Sequence, residues 1–170
     1  MKRTGKRSGR VGSEKRKSES KTGSPVVIRR ARMEDLPAVV RMSHGVPEIE
    51  NYPGQRMKVA DFVHFVKPYG GMMLVAEAYK QVVGYITVYP SENYFYLPYS
   101  VVRKEWRRRG VGSALLGKVE ALAKESKVEY ILMSAYIYNK RVHSFLKARG
   151  YVPSKKLVQY SKLIRASKKR

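Results

Sequence analysis

Apolar residues recur along the chain at two spacings, one typical of β-strands and one typical of α-helices. Runs of alternating or continuous apolar residues predict strands over residues 25–32, Met72–Ala78, 82–89, 94–102, 130–138 and 157–164. Apolar residues three or four positions apart predict helices over residues 34–42, 58–66, 111–125 and 140–149. The order βααβββαβαβ predicts an α/β fold in which helices flank a mixed, mostly antiparallel sheet.

Turn-forming residues mark the boundaries of these elements. A Tyr-Lys-Gln link joins two of the predicted strands, which predicts a hairpin at residues 79–81. Residues 44–57 predict a loop, because they contain Gly45, Pro47, Pro53 and Gly54. Gly150 predicts a left-handed residue that ends the last helix.

Composition supports one domain with a single core. The chain has 170 residues, of which 43% are hydrophobic, enough for one core of ordinary size. No apolar run approaches the roughly 20 residues of a membrane span, and residues 1–25 contain no apolar stretch typical of a secretory signal. Cysteine is absent, which excludes disulfides, thiolate metal sites and a cysteine acyl intermediate. These features predict a cytoplasmic protein that has no membrane partner.

Positive charge is concentrated at the two ends of the chain. The formal net charge is +23, and residues 1–25 contain nine Lys or Arg against two Glu. Because Val11 is the one core-forming side chain there, we predict a disordered basic arm over residues 1–25. Residues 165–170 predict a basic tail, which leaves residues 26–164 as the folded domain. The arm either binds nucleic acid or acidic proteins through salt-sensitive contacts or only keeps the protein in solution.

Three arginines and two glycines lie between a predicted strand and a predicted helix, within residues 106–113. The first amides of a helix have no intrahelical acceptor, and the helix dipole adds positive potential there. Such a helix start binds phosphate, and glycines let the ligand approach the backbone closely. We therefore predict a phosphate site formed by Arg107, Arg108, Arg109, Gly110, Val111, Gly112 and Ser113. The alternative for the arginines is a solvated basic turn.

Two other phosphate motifs do not fit this segment. Gly112, Gly117 and Lys118 have the spacing of a P-loop, but Val119 stands where that motif needs a Ser or Thr hydroxyl for magnesium. The same stretch follows a helical apolar period, which a P-loop would interrupt. The dinucleotide fingerprint also fails, because its third glycine is Leu115 here.

Two motifs in this chain resemble those of the GNAT superfamily of N-acetyltransferases. Arg107-x-x-Gly110-x-Gly112 resembles the family's pyrophosphate-binding motif. Residues 139–151 are similar to its Asn-x-x-Ala-x-x-Phe-Tyr-x-x-x-Gly-Phe segment, with Val142 for the Ala, Leu146 for the Tyr and Tyr151 for the Phe. A weaker likeness to the family's first strand and helix lies in residues 28–37. The resemblance covers about residues 26–164 and implies a GNAT-like α/β sandwich.

The resemblance implies that acetyl-CoA is the donor and that no metal is needed. Backbone amides of residues 107–113 would hold its pyrophosphate, and the main chain of Val101 and Val102 would pair with its pantetheine arm. The arm would lie in a wedge between the strand that ends at Val102 and the strand that ends at Tyr138. Asn139 would hold the arm from the other side, although its position also suits an ordinary helix N-cap.

Two proton carriers that are common in this family are missing from the chain. Many members have a Glu on the fourth strand, where this chain has Pro98, and a Tyr where it has Leu146. Tyr138 and His143 are the candidate catalytic replacements, because a tyrosine can protonate a thiolate and a histidine can transfer protons near neutral pH. The alternatives are a tyrosine that packs in the sheet and an ordinary surface histidine. The candidates for the acceptor pocket are Tyr96, Tyr99 and Tyr136.

Three functions fit these features. The first is transfer of acetyl from acetyl-CoA to a primary amine, preferably a protein N-terminus or lysine, by direct attack through a tetrahedral intermediate. A Tyr-rich, acid-poor pocket favours this acceptor over polyamines and aminoglycosides, although Glu48 and Glu50 point the other way. The second is an acetyltransferase or adaptor that acts on RNA or a ribonucleoprotein through the basic ends. The third is a module that binds acetyl-CoA without turnover, which Pro98 and Leu146 would explain.

Overall fold

Strands and helices follow one another largely as the sequence predicts in a computed structural model that describes residues 26–50, 55–68 and 70–154. The strands are β1 (Val27–Arg30), β2 (Met72–Ala78), β3 (Gln81–Pro90), β4 (Tyr94–Leu97), β5 (Ser100–Val102) and β6 (Tyr130–Met133). The α-helices are α1 (Leu36–Ser43), α2 (Val111–Glu125) and α3 (Lys140–Ala148). The strand predicted over residues 157–164, the arm over 1–25 and the tail over 165–170 lie outside the described residues.

The six described strands form one mixed sheet. Its order is β1-β2-β3-β4-β6, and β5 pairs with β3 beside β4. Paired strands are antiparallel except β4 and β6, which run parallel. A parallel pair needs a crossover connection, and α2 provides it between β5 and β6. The predicted mixed, mostly antiparallel sheet with flanking helices is therefore confirmed.

Helices cover both faces of the sheet and bury two apolar clusters. The cluster on the α1 side contains Leu36, Val39, Phe62, Phe65, Met73, Val75, Tyr85 and Val101. The cluster on the α2 side contains Leu74, Ala76, Ile86, Val88, Phe95, Leu97, Val111, Leu115 and Val119. Because successive strand side chains point to opposite faces, the central strands β2 and β3 contribute to both clusters. Within the described ranges, no helix has the length and apolar character needed to cross a bilayer.

Two predicted turns have the expected backbone geometry. Tyr79 and Lys80 join β2 to β3 with φ of +49° and +58°, the left-handed geometry of a tight two-residue hairpin turn. Gly150 follows α3 with φ of +84°, so the predicted left-handed cap is confirmed. Both turns follow from local sequence, which is why the sequence predicts their positions correctly.

Residues 58–66 do not form the predicted α-helix. They form two 3₁₀ turns, Val59–Asp61 and Val63–Phe65, whose amides bond to carbonyls three residues earlier. A 3₁₀ turn places residues i and i+3 on the same side. This spacing lets Phe62 and Phe65 bury their rings together in the α1-side cluster. Tertiary packing therefore overrides the α-helical pattern, and the prediction was wrong.

The strand predicted over residues 94–102 is interrupted by a bulge at Pro98 and Tyr99. The register between β3 and β4 is shifted by one residue from the register between β3 and β5. The segment that contains β4 and β5 therefore has one residue more than the stretch of β3 that it faces. Pro98 has no amide hydrogen to donate to the ladder. Thr87 of β3 compensates, because its hydroxyl accepts from the Tyr99 amide at 3.0 Å and its amide donates to the Tyr99 carbonyl at 2.9 Å.

The strand predicted over residues 130–138 ends early, at Met133. Its last pairing joins Met133 to Leu97, where β4 itself ends at the bulge. Beyond Met133 the chain has no β4 residue to pair with, and it turns at residues 137–138. The bulge in one strand therefore determines the length of the other.

Candidate functional site

The start of α2 presents a row of backbone amides to one side. Gly110 caps the helix with φ of +80°, and Arg108 also has a positive φ, of +61°. Left-handed residues next to right-handed ones turn successive N–H groups toward one point and form an anion-binding concavity. The amides of Val111, Gly112 and Ser113 donate to no backbone carbonyl among the described residues. The turn predicted to bind phosphate thus combines available donors with the positive end of the helix dipole.

Two arginines of this turn are held by contacts with neighbouring residues. The Nε of Arg107 donates to the carbonyl oxygen of Val102 at 3.0 Å. The Arg109 guanidinium lies over the Trp106 ring, 5.4 Å from its centre, in a cation–π contact. The side chain of Arg108 is exposed. These contacts keep the charges of Arg107 and Arg109 next to the start of α2.

Gly112 lies where the two motifs found in the sequence meet. A Cβ atom placed on Gly112 would be 3.8 Å from the Phe145 ring and 3.9 Å from a methyl group of Val102. The start of α2 is therefore packed between the end of β5 and α3. Within the described ranges, β5 pairs only with β3 and β6 only with β4, so β5 and β6 do not close against each other. The expected wedge has Val102 on one side and residues 134–139, rather than a strand, on the other.

Both ends of the Asn139 side-chain amide are engaged. Its Oδ1 accepts from the Val142 amide at 3.2 Å, so the N-cap interpretation is confirmed. Its Nδ2 donates to the Glu48 carboxylate at 2.9 Å. Contact of Asn139 with a pantetheine arm stays a prediction.

Glu48 is the site residue that the sequence did not identify. In the sequence it is one of the acids of the loop over residues 44–57, whereas in the structure its carboxylate reaches Asn139 at the start of α3. The partners are 91 positions apart, so no local pattern could have paired them. The hydrogen bond between Glu48 and Asn139 thus joins the described part of that loop to the start of α3.

Tyr138 lies on the turn after β6 and not at the end of a strand, so its predicted placement was wrong. Its side chain is 63% exposed and stacks on Tyr136, with ring centres 5.2 Å apart. Desolvation, and after it the Glu48 carboxylate, raises the pKa of the Tyr138 phenol. A phenol with a raised pKa keeps its proton at neutral pH. Tyr138 is therefore present as the protonated phenol, the form that a proton donor must have, while its raised pKa makes it a weaker acid.

His143 is oriented by the same turn. Its Nε2 lies 3.0 Å from the carbonyl oxygen of Tyr136. Because a carbonyl oxygen only accepts, Nε2 carries a hydrogen and donates it. This leaves Nδ1 as the nitrogen of His143 that can take up a proton. Its catalytic role stays a prediction.

We expect turnover to fall in two single variants if these residues transfer protons. His143→Ala should lower kcat and flatten its dependence on pH, because a titrating step is removed. Tyr138→Phe should lower kcat without that flattening, because the phenol acts only as a donor. Steady-state rates measured across neutral pH, with acetyl-CoA saturating, separate the two effects. Wild-type rates and pH profiles in both variants would remove both residues from the mechanism.

Two grooves flank Tyr89 on the α1 side of the sheet. The first has a volume of about 470 Å³ and is lined by Tyr89, Pro90, Ser91, Tyr94, Tyr96 and Leu132. The second, which we call the bulge groove, has a volume of about 740 Å³ and is lined by Gln55, Arg56, Met57, Lys58, Ala60, Asp61, His64, Tyr89 and Tyr99. Of the tyrosines predicted to form one acceptor pocket, Tyr96 and Tyr99 line neighbouring grooves that share Tyr89, and Tyr136 lines neither. Their contacts with an acceptor stay predictions.

Known proteins match this chain in sequence. Residues 36–151 match a protein family described as "Acetyltransferase (GNAT) family". The chain is also 29% identical over 157 residues to an N-alpha-acetyltransferase of Sulfurisphaera tokodaii, an alignment that covers 84% of this chain and 90% of that protein. The family match includes residues 107–113 and the whole of α3.

Solved structures share the fold at lower sequence identity. Aminoglycoside N-acetyltransferase AAC(6')-Iy in complex with CoA has a TM-score of 0.71 at 17% identity, covering 85% of this chain and 99% of that one. A transcriptional regulator from Bacillus halodurans C-125 has a TM-score of 0.70 at 20% identity, covering 81% of this chain and 100% of the other. At such identities the likeness concerns the fold and not the acceptor.

Proposed function

Because this chain belongs to the acetyltransferase (GNAT) family, we propose that it acetylates the amine of a protein, either a chain N-terminus or a lysine. Family membership and the N-alpha-acetyltransferase relative support an acetyl-CoA-dependent N-acetyltransferase reaction. The proposal goes beyond the family's reaction in naming a protein amine as the acceptor. The observation that carries it is the charge of the bulge groove.

The bulge groove is poorly suited to an acceptor with many positive charges. Arg56 and Lys58 line it, and the acid among its described lining residues, Asp61, accepts a hydrogen bond from the Lys58 amide at 2.7 Å. Glu48 and Glu50 are also engaged, with Asn139 and with amides of their own loop. An aminoglycoside carries several ammonium groups, which would meet like charge here. A peptide brings a single reacting ammonium group and can place neutral or acidic side chains beside the two cations.

The donor would bind where the two motifs meet. Its pyrophosphate would lie on the amides at the start of α2, and its pantetheine arm would run along β5. Since Pro98 has no amide hydrogen and the Tyr99 amide is bonded to Thr87, the donor to the developing oxyanion would come from β5 itself. No covalent enzyme intermediate is required.

Proton transfer accompanies the acyl transfer. A lysine amine has a pKa near 10.4 and a chain N-terminus one near 8, so the ammonium form must lose a proton before attack. The amine then attacks the thioester carbon, the C–N bond forms, and collapse of the tetrahedral intermediate breaks the C–S bond. Tyr138, whose phenol stays protonated at neutral pH, would give a proton to the departing thiolate.

We expect the protein to prefer peptides with acidic residues after the reacting amine. The test compares kcat/KM for synthetic peptides that begin Ser-Glu-Glu and Ser-Lys-Lys, with an aminoglycoside as the third acceptor. The acidic peptide should be preferred by about 10-fold, which corresponds to about 1.4 kcal/mol. Replacing Arg56 and Lys58 together with Ala should remove most of that preference while leaving acetyl-CoA affinity unchanged. Faster acetylation of the aminoglycoside would contradict a protein acceptor.

A second experiment separates the remaining functions. The full chain is incubated with labelled acetyl-CoA and an extract of its own cells, and protein, RNA and small molecules are then separated. Label in the protein fraction supports the proposal, whereas label in RNA supports the alternative that uses the basic ends. No label above an enzyme-free control, with acetyl-CoA binding confirmed, would support a module without turnover.

The cytoplasmic location stays a prediction.

A further inference from the structure

His64 and Tyr89 form a hydrogen-bonded pair in the wall of the bulge groove. The Nε2 of His64 lies 2.6 Å from the hydroxyl oxygen of Tyr89. The two rings stack with their centres 5.5 Å apart and their planes 7° apart. The ring of Phe65 packs 4.0 Å from the His64 ring and 4.8 Å from the Tyr89 ring. A 3₁₀ turn and β3 thus hold an imidazole and a phenol in one geometry, half-open to solvent.

The expected path of the donor leads to this groove. With its pyrophosphate at the start of α2, the pantetheine arm would run along β5 from Val102 back toward Ser100, a distance of about 10 Å for three strand residues. The bulge comes immediately before Ser100 in the chain. Tyr99, which belongs to the bulge, lines the groove together with His64 and Tyr89. An amine in the groove would therefore approach the thioester end of the arm.

His64 differs from the other two histidines in its hydrogen-bond partner. The Nε2 atoms of His44 and His143 lie 3.2 Å and 3.0 Å from carbonyl oxygens, which can only accept, so both nitrogens must donate. The Nε2 of His64 faces a hydroxyl, which can donate. Of the three histidines, His64 is thus the one whose bonded nitrogen can receive a proton through its partner.

We propose that Tyr89 and His64 remove the proton that the acceptor amine must lose before it attacks acetyl-CoA. Tyr89 is the residue that touches the amine, and His64 is a positioning residue that acts through it. This inference rests on the proposed function. It assigns a base to this chain, which has Pro98 at the position where many family members have a Glu.

The proton movements balance as follows. The acceptor enters as an ammonium ion and gives one proton to the Tyr89 oxygen, while the Tyr89 hydroxyl proton moves to the Nε2 of His64. The free amine attacks the thioester carbonyl and the C–S bond breaks. Tyr138 gives its proton to the thiolate, and the second amine proton restores the Tyr138 phenol. His64 then returns its proton to water in the groove.

The groups around the pair agree with this direction of transfer. Burial, and after it the neighbouring Tyr99 phenol, raises the pKa of Tyr89. The phenol therefore keeps its proton until the proton of the acceptor's ammonium ion replaces it. Arg56, Lys58 and Asp61 are the charged side chains that line the groove, and Asp61 is bonded to the backbone of its own turn. Asp61 is the one carboxylate among the described lining residues, and its Oδ2 already accepts a hydrogen bond from the Lys58 amide.

The test measures kcat/KM against pH for the full chain, with acetyl-CoA and a synthetic peptide that begins Ser-Glu-Glu. His64→Phe keeps the ring stack and removes the nitrogen, and Tyr89→Phe keeps the stack and removes the hydroxyl. Each should lower kcat/KM about 100-fold and remove the fall in rate at acidic pH that a protonated imidazole causes. The double variant should be no slower than His64→Phe, because the two groups act as one unit. His44→Phe is the matched control and should behave as wild type.

Each outcome decides the matter. If the wild type acetylates the peptide and both variants keep its pH profile, the pair is not the base, and the proposed function stands. If an aminoglycoside or RNA is acetylated instead, the proposed acceptor is wrong, and the same variants assayed with that acceptor decide the role of the pair. If no acceptor is acetylated, both proposals are wrong. Should His64→Phe fail to fold, by circular dichroism, Tyr89→Phe alone decides.

Discussion

Replacing Gly112 with Asp is expected to abolish acetyl-CoA binding and leave the fold intact. The new carboxylate would lie at the start of α2, where the pyrophosphate is expected to bind. It would repel the phosphates and compete for the same amides. Each hydrogen bond to a charged group that is lost weakens binding by about 1.5–3 kcal/mol, so two lost bonds predict a Kd at least about 100-fold higher.

The fold tolerates this change for two structural reasons. Gly112 does not have a positive φ, and its new Cβ would meet Phe145 and Val102 at ordinary contact distances of 3.8 and 3.9 Å. An acidic side chain in the first turn of a helix also interacts favourably with the helix dipole. Any loss of acetyl-CoA binding therefore reports on the site and not on unfolding.

Gly117→Asp is the matched control for this variant. It adds the same charge to the same helix, but its Cβ would lie 3.6 Å from the Arg149 guanidinium and away from the start of α2. Calorimetric titration with acetyl-CoA should find near wild-type affinity for Gly117→Asp and no measurable binding for Gly112→Asp. Equal affinity in the two variants would show that the start of α2 does not hold the pyrophosphate.

Asp35→Ala is expected to lower the free energy of unfolding by about 2–3 kcal/mol. Asp35 is buried and accepts three hydrogen bonds, from two nitrogens of Arg29 at 2.7 and 2.8 Å and from the Arg32 amide at 2.7 Å. Arg29 also pairs with Glu77, so it joins β1, β2 and the start of α1. Removing the carboxylate leaves the partly buried Arg29 with Glu77 as its one carboxylate partner, and it removes the acceptor of the Arg32 amide. The thermal midpoint should fall by about 4–12 °C.

Glu34→Ala removes an acid next to Asp35 and is the control. Glu34 pairs with Arg32 at 3.3 Å, and both side chains are about 70% exposed, so its loss should change stability by less than about 1 kcal/mol. Denaturant unfolding of the two variants and the wild type measures both effects. Similar stability losses in Asp35→Ala and Glu34→Ala would mean that burial of the Asp35–Arg29 pair adds nothing to the free energy of unfolding.

The effect of Asp35 should also depend on pH. Burial favours the neutral carboxyl, but the hydrogen bonds from Arg29 and the Arg32 amide outweigh it, so the pKa of Asp35 lies below its ordinary value near 3.9. Its contribution to stability is present above that value and is lost as pH falls through the lower pKa of the folded state. The stability difference between wild type and Asp35→Ala should therefore shrink in acid and stay constant from weakly acidic to neutral pH.

Much of the fold and part of the site are readable from the sequence, because they depend on neighbours in the chain. The helix at residues 111–125 follows from an apolar period, and its start follows from Gly110, which adopts the left-handed backbone that a glycine accepts easily. The N-cap at Asn139 and the left-handed Gly150 are equally local. The turn at residues 107–113, which is predicted to bind phosphate, could be located for the same reason: its donors are consecutive backbone amides.

The remaining features were decided by tertiary structure, because they join residues far apart in the chain. The bulge at Pro98 and Tyr99 depends on Thr87 in another strand, and β6 ends where that bulge removes its neighbour. The contacts of Glu48 with Asn139 and of His64 with Tyr89 span 91 and 25 positions. Local spacing determines which backbone conformations are favourable, but packing determines which side chains meet. The sequence by itself therefore determined most of the order of elements and the turn at residues 107–113, whereas only the fold placed the Glu48 carboxylate against Asn139 and a histidine against a tyrosine in the bulge groove.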